Sequence, residues 1–347
     1  MVDKDFCMSS YLAFRFIERD DMEFYEGLHH QSVAHDKSED KIGISTAEDL
    51  DAALEKIFST MRGKKIGLML SGGMDSANLA SYLPGADAYT FRFLGGTFEE
   101  AELKRAEYYA KIYGLNLHYV DINWQTFEPC IDPILKHKCA PVHSIEPQLL
   151  VASNQAKADG IELIVTGEGC DATFGGMDQL LSRDWLFDDF VKRYTFTDPF
   201  AVLNEPVDMS YVFERYRQGD KIDFISFMED IYSTDVVSAY NNAFTTAQID
   251  YFGGYTKFKL NEPLDLHRIR NGESKYLIRE LFAKKYPDIP VPEKTPMPRP
   301  VDIYFENYCP TRPEFKKNLD MKQFTGNQKW QIYCLERFLN LFEPIDS

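Results

Sequence analysis

The sequence predicts an α/β protein, a doubly wound parallel sheet joined to a mainly helical second lobe. Three observations carry this expectation. Short apolar runs at 66–70, 88–93, 117–122 and 161–166 read as buried strands. Helical stretches separate them: Leu103, Ala106, Ala110 and Tyr113 recur on one face, and Gly114 follows as a natural C-cap. Strands alternating with helices favour a parallel sheet with helices on both faces. Beyond Met177 the chain is rich in Phe, Tyr and Asp at helical spacing, which gives the second lobe.

The N-terminal portion precedes this alternation. Ser45 or Thr46 can cap a helix running to about residue 61, with Leu50, Leu54, Ile57 and Phe58 along its apolar face. A proline-rich stretch, 287–300, interrupts the second lobe before a final helix near 328–342. The expected division is a linker-like segment at 1–60, an α/β core at 61–185 and a helical lobe at 186–347.

The bulk numbers narrow the function. The 347 residues carry 38 Lys plus Arg against 55 Asp plus Glu, a formal net charge of −17. Such a surface repels phosphate backbones, so nucleic acid is not an expected partner over a broad face. No apolar run reaches the roughly 20 residues of a membrane-spanning helix, and the charged start lacks a signal-peptide core. Membrane partners are therefore not expected, and a cytoplasmic location is. The six cysteines show no C-x-x-C pair and read as reduced thiols.

The sharpest local signal is Ser71-Gly72-Gly73-Met74-Asp75-Ser76, directly after the first strand and before a helix. Two glycines let the backbone turn tightly around an anion, and Ser71 and Ser76 add hydroxyl donors. Asp75 is out of place beside phosphate unless a divalent cation bridges them. No Walker A pattern is present. A second signal, Gly167-Glu168-Gly169-Cys170-Asp171-Ala172-Thr173-Phe174-Gly175-Gly176, follows the fourth strand. Both loops leave the carboxyl ends of parallel strands, where ligands sit in open α/β sheets. Asp75 and Asp171 can then share one Mg²⁺, which takes one or two carboxylates plus substrate oxygens.

The first loop resembles the pyrophosphate loop of the PP-loop, or adenine-nucleotide α-hydrolase, enzymes that split ATP into AMP and pyrophosphate. The second resembles the asparagine-synthetase string G-x-G-x-D-E-x-F-G-G. The likeness continues through Pro263-Leu264-Asp265, Lys275-Tyr-Leu-Ile-Arg279 and Glu293-Lys294-Thr-Pro-Met-Pro-Arg299. It covers the synthetase half of that family over nearly the whole chain; β-lactam synthetases are relatives. The resemblance implies ATP and Mg²⁺ as cofactors, and a carboxylate substrate adenylated and then joined to ammonia or an amine. It implies nucleotide contacts from Leu70, Ser71, Gly72, Gly73, Asp75, Ser76, Phe93, Gly167, Glu168 and Asp171, with Leu70 and Phe93 near the base. Lys275 and Arg279 would steady pyrophosphate, and Lys294 would stabilise charge on the reacting adenylate. A Tyr240–Glu229 pair matches the region where ring-closing relatives carry their base.

Three departures accompany the likeness. No glutaminase-like segment precedes residue 11, so nitrogen is expected free, from a separate glutaminase chain, or as another amine. The acidic residue after the motif aspartate is Ala172. The amino-acid-reading region, Tyr240-Asn-Asn-Ala-Phe-Thr-Thr246, lacks the arginine of asparagine makers. The substrate acid and the choice between joining two molecules and closing a ring stay open, as does self-association. A non-catalytic nucleotide-binding subunit and a tRNA-modifying enzyme are the rival readings.

Overall fold

The computed structural model describes residues 1–30, 40–94, 100–293 and 301–344. Five strands form one all-parallel sheet: β1 (Ile66–Met69), β2 (Asp87–Phe93), β3 (Asn116–Ile122), β4 (Leu163–Thr166) and β5 (Asp250–Gly253). Their order is β3-β2-β1-β4-β5, with Ile66 paired to Leu163 and Gly67 to Asp87 at the centre. The chain winds outward from β1 to β3, then crosses to β4 on the other side. The crevice between the carboxyl ends of β1 and β4 is thus the point where strand order reverses, the favoured ligand position in such sheets.

The helices that frame the sheet among the described residues include α1 (Lys4–Phe14), α2 (Ala47–Thr60), α3 (Met74–Ala80), α4 (Glu100–Tyr113), α5 (Glu146–Ala158), α6 (Ser233–Ala247), α7 (Tyr276–Lys285) and α8 (Gly326–Phe342). Side chains alternate across each strand, and two cores result. Leu68, Ala88 and Val165 pack with Leu54 of α2, Ala77 of α3, Ala106 of α4 and Leu281 of α7. Tyr89, Val120 and Ile164 face the other way, onto Leu12 of α1, Leu149 of α5, Ala243 of α6 and Trp330 of α8. The doubly wound sheet is therefore as the sequence predicts.

Local chemistry explains the element ends. Thr46 caps α2 and closes a capping box with Asp49, and Thr325 does the same for α8 with Gln328. Two features differ from the expected division. Residues 4–14, read as part of a linker, form a helix with nine of eleven residues buried, against the C-terminal helix. Its mix of Ser, Cys and aromatic residues gives no amphipathic stripe, because nearly every face is covered. The sheet also takes its fifth strand from residues 250–253, inside the stretch read as helical; an edge strand of four residues leaves little periodic signal. All six cysteines are free thiols. Among the described residues no helix is long and apolar enough to cross a membrane.

One buried polar network ties α5 to α6. Lys138 Nζ lies 3.0 Å from Glu146 Oε1, both side chains almost fully buried. The same carboxylate accepts the His143 amide and, at 2.6 Å, Asn242 Nδ2. Removing one partner of a buried ion pair strands the other charge. Lys138→Met is expected to lower unfolding free energy by about 3–5 kcal/mol in urea titrations, with Lys138→Arg less damaging.

Candidate active site

A cavity of about 790 Å³ opens at the carboxyl ends of β1, β2 and β4 and reaches across to α6. Its floor is built by the two sequence motifs. Ser71, Gly73, Asp75 and Ser76 line one side; Gly167, Glu168, Gly169, Asp171 and Ala172 line the other.

The first loop is held by its own hydroxyls. The Ser71 amide donates to Ser76 Oγ at 3.0 Å, and the Gly73 amide donates to Ser71 Oγ at 3.2 Å. Asp75 then sits in the first turn of α3. The second loop begins α/β-fashion after Thr166, and Asp171 lies on a short helix, Cys170–Phe174. Tyr255, just after β5, binds the two loops together: its amide donates to the Glu168 carbonyl, and its hydroxyl donates to the Asp75 carbonyl at 2.8 Å. The late strand thus fixes the spacing of the two motifs.

Lys275 completes the centre. Its ammonium lies 2.5 Å from Asp75 Oδ2 and 2.6 Å from Asp171 Oδ1, with the side chain only 4% exposed. Burial alone disfavours this ammonium, but the field of Asp75 and Asp171 outweighs it and holds the pKa well above the lysine norm. Lys275 adopts a left-handed backbone (φ 54°) at the cap of α7. Helix α7 is in turn anchored on α3, where Asn78 Nδ2 donates to the Ile278 carbonyl at 3.1 Å. A strained cap held by packing is a known signature of functional sites.

The donor set suits a divalent cation. Two carboxylates from separate loops converge on one cation, and the trio keeps a formal charge of −1. Asp75 Oδ1 is buried with no hydrogen-bond partner, and a buried charged oxygen left so is costly. Mg²⁺ commonly uses two protein carboxylates and completes its shell with phosphate and water oxygens. Among the described residues no group of three His, Cys, Asp or Glu side chains clusters as an all-protein metal site, so substrate oxygens would supply the remainder.

Glu168 is the other unusual group. It is 5% exposed, and both carboxylate oxygens lack a hydrogen-bond partner. Burial pushes its pKa up to about 8. Its sequence position placed it with the nucleotide contacts; nothing in the string itself showed that its side chain would be dry.

Other expectations divide. Leu70, Phe93 and Tyr240 line the cavity, as do Phe91 and Met69. Gly72 does not: its Cα faces α4, where a Cβ would meet the Glu102 carbonyl oxygen at 2.4 Å, so the residue serves helix packing. Arg279 turns back to donate to the Ser274 carbonyl at 2.7 Å and is not among the lining residues. The resemblance that grouped it with Lys275 does not fix its direction: Lys275 caps the helix, and Arg279 lies one turn inside it. Glu229 is exposed and is not among the lining residues, whereas Tyr240 is. Lys294 lies outside the described residues, although Pro292 and Glu293 reach the cavity. Arg15, His143, Met177, Tyr232 and Thr256 line it without having been singled out. An arginine ending an otherwise uncharged run, residues 6–14, was the available sign for Arg15.

With this geometry in view, sequence comparison identifies the family. The asparagine synthase family model matches residues 47–243. The chain belongs to the asparagine synthase family. A putative glutamine-hydrolysing asparagine synthetase 1 of Methanocaldococcus jannaschii is 29% identical over 138 residues, 37% of this chain and 25% of that protein. A glutamine-hydrolysing asparagine synthetase of Sandersonia aurantiaca is 27% identical over 140 residues, 36% of this chain and 26% of that protein. The chain thus matches about a quarter of the length of these curated relatives. Among solved structures, an NMN synthetase from Francisella tularensis superposes with a TM-score of 0.29 at 10% identity, covering 73% of this chain and all of that one. The U34-tRNA thiolase NcsA from Methanococcus maripaludis gives 0.27 at 12% identity, covering 77% and 89%. Both superpose too loosely to inform the fold. Membership in the asparagine synthase family supports a ligase-type, ATP-using reading.

Two outcomes are expected. Gly176 has no room for a side chain: a Cβ would lie 2.0 Å from Asp171 Oδ1 and 2.2 Å from Lys275 Cε. Gly176→Ala is expected to weaken Mg·ATP binding at least about tenfold by calorimetry, with a nearly unchanged thermal midpoint. Glu168, with its folded pKa raised above the unfolded value, contributes stability below about pH 4.5 that is lost as pH rises through about 8. Glu168→Gln removes that loss, so its thermal midpoint relative to the native protein should rise from pH 5 to pH 9.

Proposed function

We propose that the chain is an AMP-forming carbon–nitrogen ligase: it adenylates a substrate carboxylate and transfers the acyl group to ammonia or an amine. The observation that carries this reading is the convergence of Asp75, Asp171 and Lys275 where strand order reverses, beside an unpartnered buried glutamate.

Each residue has a chemical task in the proposal. Asp75 and Asp171 would hold Mg²⁺, which supplies neutralising charge to the phosphates. Ser71, Gly73 and Ser76 sit where they can donate to phosphate oxygens. Leu70, Phe91 and Phe93 offer an apolar slot suited to the base. Lys275, freed from sole charge of the two carboxylates, reaches the departing pyrophosphate while remaining in place through its backbone cap. The substrate carboxylate attacks the α-phosphorus, pyrophosphate leaves, and an acyl-adenylate remains. The nitrogen then attacks the acyl carbon, AMP leaves as the C–O bond breaks, and the nitrogen gives up one proton. Glu168, with no competing donor and a pKa raised to about 8, is suited to receive it once ionised. Lys294, next after the cavity residue Glu293, is proposed to stabilise oxygen charge in both steps. No covalent enzyme intermediate is needed.

The test separates the halves. ATP–pyrophosphate exchange with Mg²⁺ should depend on one acid from a panel of carboxylic acids and vanish in Asp75→Ala. Glu168→Gln should keep exchange yet slow amide formation about a hundredfold or more, and the native amide-forming rate should climb with pH and level off above about 8. Tight ATP binding without exchange for any acid or amine would instead favour a non-catalytic subunit.

A further inference from the structure

Among the described residues lining the main cavity, four carry a lysine or arginine cation: Arg15, Arg92, Arg105 and Lys275. Three of them are already matched by carboxylates. Arg15 pairs with the buried Asp235. Arg92 holds Asp121 through Nε and Nη2, at 2.6 and 2.9 Å. Lys275 is shared by Asp75 and Asp171. Arg105 differs. Among the described residues no Asp or Glu lies within ion-pair distance of it, and its side chain makes one hydrogen bond, from Nε to the neutral carbonyl of Gly72 at 2.9 Å. The acids of its own helix α4 do not match it either. Glu100 pairs with Lys104 at 3.1 Å, and Glu102 packs its Cγ toward Gly72.

Gly72 is what brings this cation to the first motif loop. Having no side chain, it lets α4 pack directly on the loop, one turn before Arg105. The peptide joining Gly72 to Gly73 is planar, so its C=O and N–H point opposite ways. Arg105, on the carbonyl side, therefore fixes the Gly73 amide toward Ser71 Oγ, 3.2 Å away inside the turn. Only Nε is engaged in that contact. The two Nη groups remain, and they form an edge of the guanidinium that can grip phosphate oxygens in bidentate fashion. Arg105 is half-buried and part of the cavity lining, so these donors lie beside any anion that the loop holds.

We propose that Arg105 binds the two terminal phosphates of ATP and keeps hold of the pyrophosphate that they become. This deepens the adenylation reading above and rests on it. As the carboxylate oxygen bonds to the α-phosphorus, the bridging P–O bond breaks and pyrophosphate departs with the bonding electrons. Arg105 offsets the charge that gathers on the departing group. The ligand class that follows is an inorganic diphosphate or a nucleoside triphosphate. AMP lacks the group that Arg105 reads.

The test titrates the full chain by calorimetry with pyrophosphate and, separately, with AMP, each in the presence of Mg²⁺. The native protein should bind pyrophosphate. Arg105→Gln should weaken that binding about tenfold or more and leave AMP binding within about twofold. Arg105→Lys keeps the charge without the fork and should fall between the two. In exchange measurements Arg105→Gln should raise the KM for pyrophosphate by a similar factor, with the KM for the acid unchanged. Native-like pyrophosphate binding by Arg105→Gln overturns the proposal, as does a native protein that binds no pyrophosphate. An equal loss of AMP binding also overturns it, by leaving Arg105 only the task of shaping the loop. Arg105→Lys binding no better than Arg105→Gln removes the role of charge and overturns it too. Pyrophosphate binding that depends on Arg105, with no acid supporting exchange, counts against adenylation and upholds the pyrophosphate site.

Discussion

Two carboxylates held within reach of one buried ammonium repel each other, and the site of this protein is organised around that repulsion. Asp75 and Asp171 come from different loops, and Lys275 holds both. The three groups do not balance, which keeps an appetite for further positive charge at the point where phosphate would arrive. Burying the lysine contributes little net stability, since its desolvation consumes most of the Coulomb gain. Its retention is better understood as positioning: the lysine keeps the two acidic loops in register when nothing else neutralises them.

The rest of the fold serves this arrangement. Parallel pairing of β1 and β4 sets the two motif loops side by side. Strand β5 delivers Tyr255, which bonds to both loops, so a residue far along the chain governs the spacing of the two earlier motifs. Helix α7 rests on α3 and presents Lys275 from a strained cap. Gly176 leaves the space that this convergence needs. Each support belongs to a different stretch of sequence, which is why the family match across 47–243 does not by itself contain the whole centre: Tyr255 and Lys275 fall beyond it.

The half of the cavity facing α6 has a different character. Ile145, Leu149, Val236 and Val237 make it apolar, with His143 and Tyr240 as polar points. His143 is oriented from behind, since its Nδ1 accepts the Ile145 amide at 3.1 Å and the Glu146 network holds its backbone. The side formed by the two motif loops is thus built from backbone turns and charge, and the side facing α6 from packed helices.

The sequence by itself determined the parallel sheet, the two motif loops and the pairing of Asp75 with Asp171, because those signals are local: apolar runs, glycine turns and strand-end position. The family resemblance also grouped Lys275 with those loops, and the structure sets it between Asp75 and Asp171. It did not determine that Gly72 serves packing, that Arg279 folds back on Ser274, or that Glu229 stays at the surface. Nor did it show the dryness of Glu168 or the arrival of Arg15 from α1. Those outcomes depend on which elements meet from distant parts of the chain, and on how much water remains once they have met. Burial and approach are properties of the packed whole, so only the tertiary structure could decide them.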